Sequence, residues 1–398
     1  MWIKRELEEE VKKISIEFPV IVITGPRQVG KTAIVEKSFP DYLYVSLDSP
    51  ALAEMAETMP EEFLRRFPPP AVLDEIQYAP AIFRHIKQYV DQHREQNGLF
   101  ILSGSQNFVL MQSVTESLAG RTSVIPLLGL SGLEWKRAFR PSTSTWKDWF
   151  TFLWKGSFPG LWKDPKHPPS RDRWYQGYVA TYLERDVRNL IRIGRLRDFE
   201  RFLRACAVRA GSILNMSDIG RDVGISATTS KEWISILCSS GQLFLLEPYF
   251  KSLGKRLVKS PKLYFTDTGL LAYLLGFQTM ENIMQSPYAG ALWENYCINQ
   301  WIRWRDWHAP SAGLWFWRDR TGNEVDLILE IDQKLIPIEC KFKEHPDKAD
   351  IKAIKKLKKF YGEDQVSKAF IACLTKVPFM VAPDVMAISG WTIWDIGK

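Results

Sequence analysis

Apolar residues near the start of the chain fall at Ile3, Leu7, Val11 and Ile14, three or four positions apart with charges between them, which predicts an amphipathic helix over residues 1–18. The pattern then changes. Phe18-Pro19-Val20-Ile21-Val22-Ile23-Thr24 is a short β-branched run ending at a glycine, as expected of a strand buried on both faces of a parallel sheet. Similar runs recur at Tyr42-Leu43-Tyr44-Val45-Ser46-Leu47, Ala71-Val72-Leu73, Leu99-Phe100-Ile101-Leu102 and Ser123-Val124-Ile125-Pro126-Leu127, with helix-length segments between them. This alternation predicts a doubly wound α/β domain over residues 1–130. Residues 131–290 read as helices followed by short strands, and residues 291–398 as a helix, a hairpin and a further α/β segment. The most linker-like stretches are Pro141-Ser142-Thr143-Ser144-Thr145 and Lys163-Asp164-Pro165-Lys166-His167-Pro168-Pro169-Ser170.

A chain of 398 residues is long enough for two or three domains, and 45% hydrophobic with 25% charged residues argues against disordered, collagenous or disulfide-scaffold classes. The amino terminus lacks an apolar leader core and no later run approaches a membrane span, so a cytoplasmic protein without a membrane partner is expected. Five dispersed cysteines without a C-x-x-C pair argue against structural zinc and against a disulfide framework. Charge is uneven. Residues 1–130 carry 13 basic and 17 acidic side chains, residues 131–290 carry 24 and 14, and residues 291–398 carry 16 and 15. The basic middle is either a polyanion footprint or a solvated face whose charges pair elsewhere.

Gly25-Pro26-Arg27-Gln28-Val29-Gly30-Lys31-Thr32 satisfies G-x-x-x-x-G-K-[ST] between a predicted strand and a helix predicted to begin around Gly30, and these residues with Ala33 are the expected nucleotide-binding set. Glycines let the backbone turn tightly and approach an anion, and the helix start brings N–H groups to the same place. Lys31 would reach the β- and γ-phosphates, and the Thr32 hydroxyl would bind Mg²⁺. Some forty residues on, Pro70-Ala71-Val72-Leu73-Asp74-Glu75 ends an apolar strand in paired acids: Asp74 for Mg²⁺ and Glu75 for the attacking water. The next strand ends in Leu102-Ser103-Gly104-Ser105-Gln106-Asn107, polar residues that would either sit beside the γ-phosphate or simply form a turn.

These three segments resemble AAA+ superfamily ATPases. Ser117-Leu118-Ala119-Gly120-Arg121, Lys155-Gly156-Ser157-Phe158-Pro159-Gly160 and Thr181-Tyr182-Leu183-Glu184-Arg185-Asp186-Val187 are similar to a bacterial and archaeal subgroup with a carboxy-terminal domain of unknown function. The resemblance implies that Ser103 or Ser105 senses the γ-phosphate and that Arg121 is an arginine finger reaching a second copy of the chain, or else a salt-bridged surface arginine.

Residues 217–234 carry helix-turn-helix punctuation, with Ile219 and Val223 inward, Gly224 at the turn, Ser226 as cap, and Trp233, Ile234 and Leu237 returning to the core. Residues 242–250 and 262–265 read as a wing hairpin, with Lys251, Lys255, Arg256, Lys259 and Lys262 at or between its strands. A winged helix of this kind either binds DNA through its recognition helix and basic wing or serves as a packing module.

Residues 324–330 and 334–342 read as two strands joined by a tight turn, placing Val325, Leu327, Leu329, Ile338, Cys340 and Phe342 on a buried face and Glu324, Asp326, Glu339 and Lys341 on the other. One aspartate with an E-x-K on the adjacent strand resembles the PD-(D/E)XK nuclease signature. That resemblance implies Asp326 and Glu339 as metal ligands, with Lys341 and Glu294 as further members; the alternative is a half-exposed hairpin with cross-strand charge pairs. The tryptophans of residues 301–307 and 314–318 would either stack on bases or fill cores.

Together these features predict a P-loop NTPase parallel-sheet domain (1–130), a helical and winged-helix domain (131–290), and a nuclease-like α/β domain (291–398). The expected activity is Mg²⁺-dependent ATP hydrolysis, with ATP and ADP as ligands and with nucleotide state gating DNA binding or processing by residues 131–290 and the end domain. The alternative is an ATP-driven switch or scaffold on a protein partner with an inert nuclease-like end.

Overall fold

The computed structural model describes residues 2–105, 114, 116–139, 145–164, 166–182, 196–249 and 259–391. The chain divides into two compact units, one of Met1–Leu130 with Phe158–Lys163 and Ile236–Gln242, the other of the remaining residues. Among the described residues no helix is long and apolar enough to cross a membrane.

In the first unit, strands β1 (Val20–Gly25), β2 (Leu43–Ser46), β3 (Ala71–Asp74), β4 (Phe100–Ser105) and β5 (Thr122–Pro126) form a sheet in the order β2-β3-β4-β1-β5, every pairing parallel. Every residue of β1, β3 and β4 is buried, which is why these strands read as continuous apolar runs. The helix Ile82–Gln92 shows the complementary signal, burying Ile82, Phe83, Ile86 and Val90 at helical spacing against the sheet core. Parallel strands carry their carboxyl ends to one edge, and ligand crevices form where neighbouring strands connect in opposite directions. Here β1 lies between β4 and β5, so that edge brings together the ends of β1, β3 and β4.

In the second unit, the helix Met216–Val223 is capped by Asn215, whose Oδ1 accepts from Ser217 N and Asp218 N, and it ends at Gly224 with φ 83°. Ser226 Oγ accepts from Thr229 N at 3.0 Å and starts the helix Ala227–Ser239. Ile219, Val223, Trp233 and Ile234 are buried, as the sequence predicts, and so is Leu237 in the part of this helix that falls in the first unit. Strands β6 (Leu243–Leu246) and β7 (Lys262–Phe265) follow as an antiparallel pair. Lys251, Lys255 and Arg256 of the expected wing lie outside the described residues, as do Gln106, Asn107 and residues 183–187. Lys262 does not fit its expected place on a phosphate-facing surface, because its side chain is only 2% exposed and is paired with carboxylates.

The end of the chain forms a six-stranded mixed sheet in the order β12-β13-β11-β10-β9-β8, from β8 (Gly313–Arg318), β9 (Glu324–Ile331), β10 (Lys334–Cys340), β11 (Ala369–Cys373), β12 (Phe379–Ala382) and β13 (Val385–Ser389). Asp332 and Gln333, at φ 47° and 63°, make the two-residue turn between β9 and β10. On the face where a half-exposed hairpin was the alternative, Asp326 is 7% exposed and Glu339 1%, while Glu324 and Lys341 are half-buried. Of the tryptophans in residues 301–307 and 314–318, Trp301, Trp307 and Trp317 fill the core, and Trp304 and Trp315 are half-buried. Trp293 and Trp317 are enclosed, Trp301 and Trp307 are buried, and Trp391 packs edge-on to Trp293 at 4.4 Å and stacked on Trp149 at 5.5 Å. Asn295 ties the helix Ala289–His308 to β7 by accepting from Phe265 N and donating to Phe265 O, both at 2.9 Å.

Candidate functional site

The loop after β1 has the backbone its glycines permit. Gly25 has φ 154°, and a Cβ there would stand 2.0 Å from Leu127 O; Gly30 has φ 97° and Gln28 φ 62°. The helix Lys31–Ser38 starts at Gly30 without a side-chain cap, and a helix start of this kind favours an anion. Val29 is buried beneath the loop. Lys31, 6% exposed, folds back over the loop and donates to Gly25 O and Pro26 O, both at 3.0 Å. Carbonyl partners hold a lysine more weakly than phosphate oxygens do, so the ammonium is placed to exchange one for the other.

Asp74 is the hub. It is 2% exposed; its Oδ2 accepts from Thr32 Oγ1 at 2.7 Å and Tyr44 Oη at 2.8 Å, while its Oδ1 accepts from Ser103 Oγ and from Glu75 N at 3.1 Å. Hydrogen bonds to a charged acceptor are each worth about 1.5–3 kcal/mol, so this carboxylate fixes the P-loop helix, β2, β3 and β4 relative to one another. A threonine hydroxyl and a carboxylate are the hard oxygen donors that Mg²⁺ takes, and these two residues could hold it. Glu75 follows in the left-handed region at φ 55°, and its Oε2 accepts from Gln77 Nε2. A left-handed conformation in a non-glycine residue is sparsely populated and persists only where the surrounding structure holds it. Ser105 pairs in register with Gly25, and its Oγ is buried without a hydrogen-bond partner among the described residues.

The sheet therefore brings Lys31, Thr32, Asp74, Glu75, Ser103 and Ser105 to one edge. Arg121 is not among them. It lies just before β5, and since Thr122 pairs with Val20 at the start of β1, it sits at the opposite edge, where Nε donates to Asp91 at 2.7 Å and Nη1 to Ala119 O at 3.0 Å. Two residues lacked a sequence signal. Tyr44 reaches Asp74 from β2, and burial together with the Asp74 carboxylate raises its phenol well above the usual value. Arg5, 3% exposed, donates to Val29 O at 2.9 Å and Leu128 O at 2.7 Å, joining the P-loop to the segment after β5. Neither residue belongs to a contiguous motif; only the alternation of β2 could have placed Tyr44 near the strand-end acids.

At the other end of the chain, β9, β10 and the helix Ala289–His308 bring Asp326, Glu339, Lys341 and Glu294 together. Lys341 Nζ donates to Glu339 Oε2 at 2.7 Å and lies 3.7 Å from Asp326 Oδ2, which also accepts from Cys340 N at 2.8 Å. Burial and the Asp326 charge push the Glu339 carboxyl well above its ordinary range. Burial raises Glu294 to about 7 even though Lys262 works to lower it. Glu324, beyond the expected set, joins this cluster.

The parallel sheet and its glycine loop are of the P-loop type. Residues 17–135 match a family model described as an AAA domain, which supports a P-loop, AAA-like reading of the amino-terminal part. Residues 146–281 match a domain of unknown function (DUF8612), and residues 289–391 match another (DUF4143). Uncharacterized proteins of Mycobacterium bovis and Mycobacterium tuberculosis are each 29% identical over 85% of this chain and 74% of their own length. Among solved structures, a Walker-type ATPase of Pyrococcus abyssi is similar at 14% identity and TM-score 0.45, covering 69% of this chain and 96% of that one.

Proposed function

We propose that residues 1–130 bind ATP with Mg²⁺ and hydrolyse it, and that nucleotide state gates nucleic-acid binding or processing by a helical and winged-helix domain (131–290) and a nuclease-like domain (291–398). Lys31 neutralises phosphate, Thr32 and Asp74 hold the metal, Glu75 aligns water, and Ser103 and Ser105 read the γ-phosphate. Arg121 serves a neighbouring copy rather than its own site. The observation that carries this reading is the convergence of Thr32, Ser103 and Tyr44 on the single Asp74 carboxylate. Any group drawn to the Asp74 and Thr32 oxygens must rearrange that set, which gives the site two hydrogen-bonding states. Fluorescent-nucleotide binding and phosphate release test it: Lys31→Ala should weaken binding, and Glu75→Gln should bind but not turn over. Normal turnover in Glu75→Gln overturns the assignment.

One observation favours the second reading, a switch acting on a protein partner with an inert end domain. Lys262 is already paired with Glu294, a member of the nuclease-like set, and with the neighbouring Glu324. Absence of DNA binding at about 50 mM salt, where phosphate contacts are least screened, would decide for it.

A further inference from the structure

The second unit buries an ammonium among carboxylates. Lys262 Nζ, carried by β7, donates to Glu294 Oε1 at 2.7 Å and to Glu324 Oε1 at 2.6 Å. One ligand oxygen from each of Glu294, Glu324 and Asp326 lies within 4.8 Å of the other two. Hard divalent cations bind oxygens at about 2.0–2.6 Å, so three oxygens at that mutual spacing can share one ion. Burial works to lower the Lys262 pKa, but Glu294 and its neighbours more than offset this and the side chain stays charged. Beside Asp326, and sharing Lys341 with it, a further carboxylate is only partly satisfied. Glu339 is 1% exposed, with Oε2 on Lys341, yet its Oε1 has no hydrogen-bond partner among the described residues. A buried carboxylate oxygen in that state is costly unless a proton or a cation reaches it.

We propose that Lys262 is the resident cation of a latent divalent-metal site formed by Glu294, Glu324 and Asp326, and that its ammonium keeps metal ions out. A monovalent, tethered cation thus holds the place of a divalent one. The proposal is independent of the nucleotide site and of whether the end domain cleaves anything.

The test uses the full chain without nucleotide. Free Mn²⁺ is followed by electron paramagnetic resonance during titration, and melting is compared in EDTA and in about 1 mM Mn²⁺, since an ion that binds only the folded state raises the melting temperature. Lys262→Met should bind one Mn²⁺ at least about tenfold more tightly than the wild type, a difference of 1.4 kcal/mol. It should melt lower than the wild type in EDTA and recover with Mn²⁺, and adding Asp326→Asn should abolish both effects. Lys262→Gln, which keeps a hydrogen-bond donor without the charge, should behave like Lys262→Met. The proposal is overturned if neither variant gains Mn²⁺ binding or metal-dependent recovery, including the case in which both stay unfolded in Mn²⁺, or if the wild type binds as tightly as they do. The first result would mark Lys262 as an ordinary buried salt-bridge partner.

Discussion

At the residue scale, the carboxylates at the two ends of the chain behave differently because their partners differ. Asp74 takes only hydroxyl donors and a backbone N–H, whereas Glu294 takes a buried ammonium from Lys262 as well as the Tyr264 hydroxyl. Replacing Glu75 by Gln keeps the shape of the site and removes a base, so turnover should fall by at least about 10²-fold with nucleotide affinity retained, read by phosphate release and fluorescence titration. Gly25→Ala should be worse than an ordinary loop change. Its Cβ would meet the Leu127 carbonyl at 2.0 Å, backbone that cannot swing aside, so we expect a loss above about 2 kcal/mol in urea unfolding and a weakened nucleotide site. Glu294 supplies a pH dependence. Its native carboxyl, raised from 4.5 to about 7, holds a proton that the unfolded chain has already released, so its contribution to stability is full below about pH 4.5 and is lost as pH rises toward 7. Stability attributable to it falls by at most about 1.4 kcal/mol per pH unit in that window, and Glu294→Gln should flatten the slope of unfolding free energy between pH 5 and 7. An unchanged slope would remove Glu294 from that account.

At the element scale, the Lys155-Gly156-Ser157 motif has a structural use within the second unit. Asp267 accepts from Ser157 N at 2.6 Å, Ser157 Oγ at 2.7 Å, Tyr175 Oη at 2.7 Å and Leu270 N at 2.6 Å, tying a helix end, a second helix and a third helix's cap to one buried carboxylate. Gly156 has φ 89°, and a Cβ there would lie 2.1 Å from Tyr175 Oη. Gly156→Ala should cost more than about 2 kcal/mol in denaturant unfolding, and the cost should be less than additive with Tyr175→Phe, which removes the clashing oxygen. Additive costs would place the penalty in the backbone or against the Asp267 carboxylate, 2.8 Å from the added Cβ, rather than at the Tyr175 hydroxyl. The same contrast explains what could be read in advance. Residues 25–32 and 71–75 are contiguous, their chemistry is local, and a strand buried on both faces announces itself as an apolar run. Lys262 was legible only as a wing charge, because its partners Glu294 and Glu324 lie far along the chain and no short pattern joins them. Tyr44 and Arg5 were hidden for the same reason: tertiary approach, rather than spacing, gives each its role.

At the scale of the whole molecule, the charge map and the nucleotide site make one joint prediction. Residues 131–290 carry the basic excess, 24 basic against 14 acidic side chains, but part of it is internally committed: Lys262 to Glu294 and Glu324, Arg171 to Asp172, and Arg209 to Asp222. Duplex binding through what remains should be salt-dependent, with log K falling against log salt by about 0.9 for each phosphate contacted. If ATP gates that surface, Glu75→Gln held with ATP and Lys31→Ala without it should differ in duplex affinity by at least about tenfold at fixed salt in fluorescence anisotropy, because an effector must differ in affinity for two states to shift their populations. Reciprocity supplies an internal check: duplex DNA should change the nucleotide affinity of Glu75→Gln by the same factor. Duplex affinity that follows salt but ignores nucleotide would leave the basic surface a binding face without a gate, and the ATPase would then act on a partner of another kind.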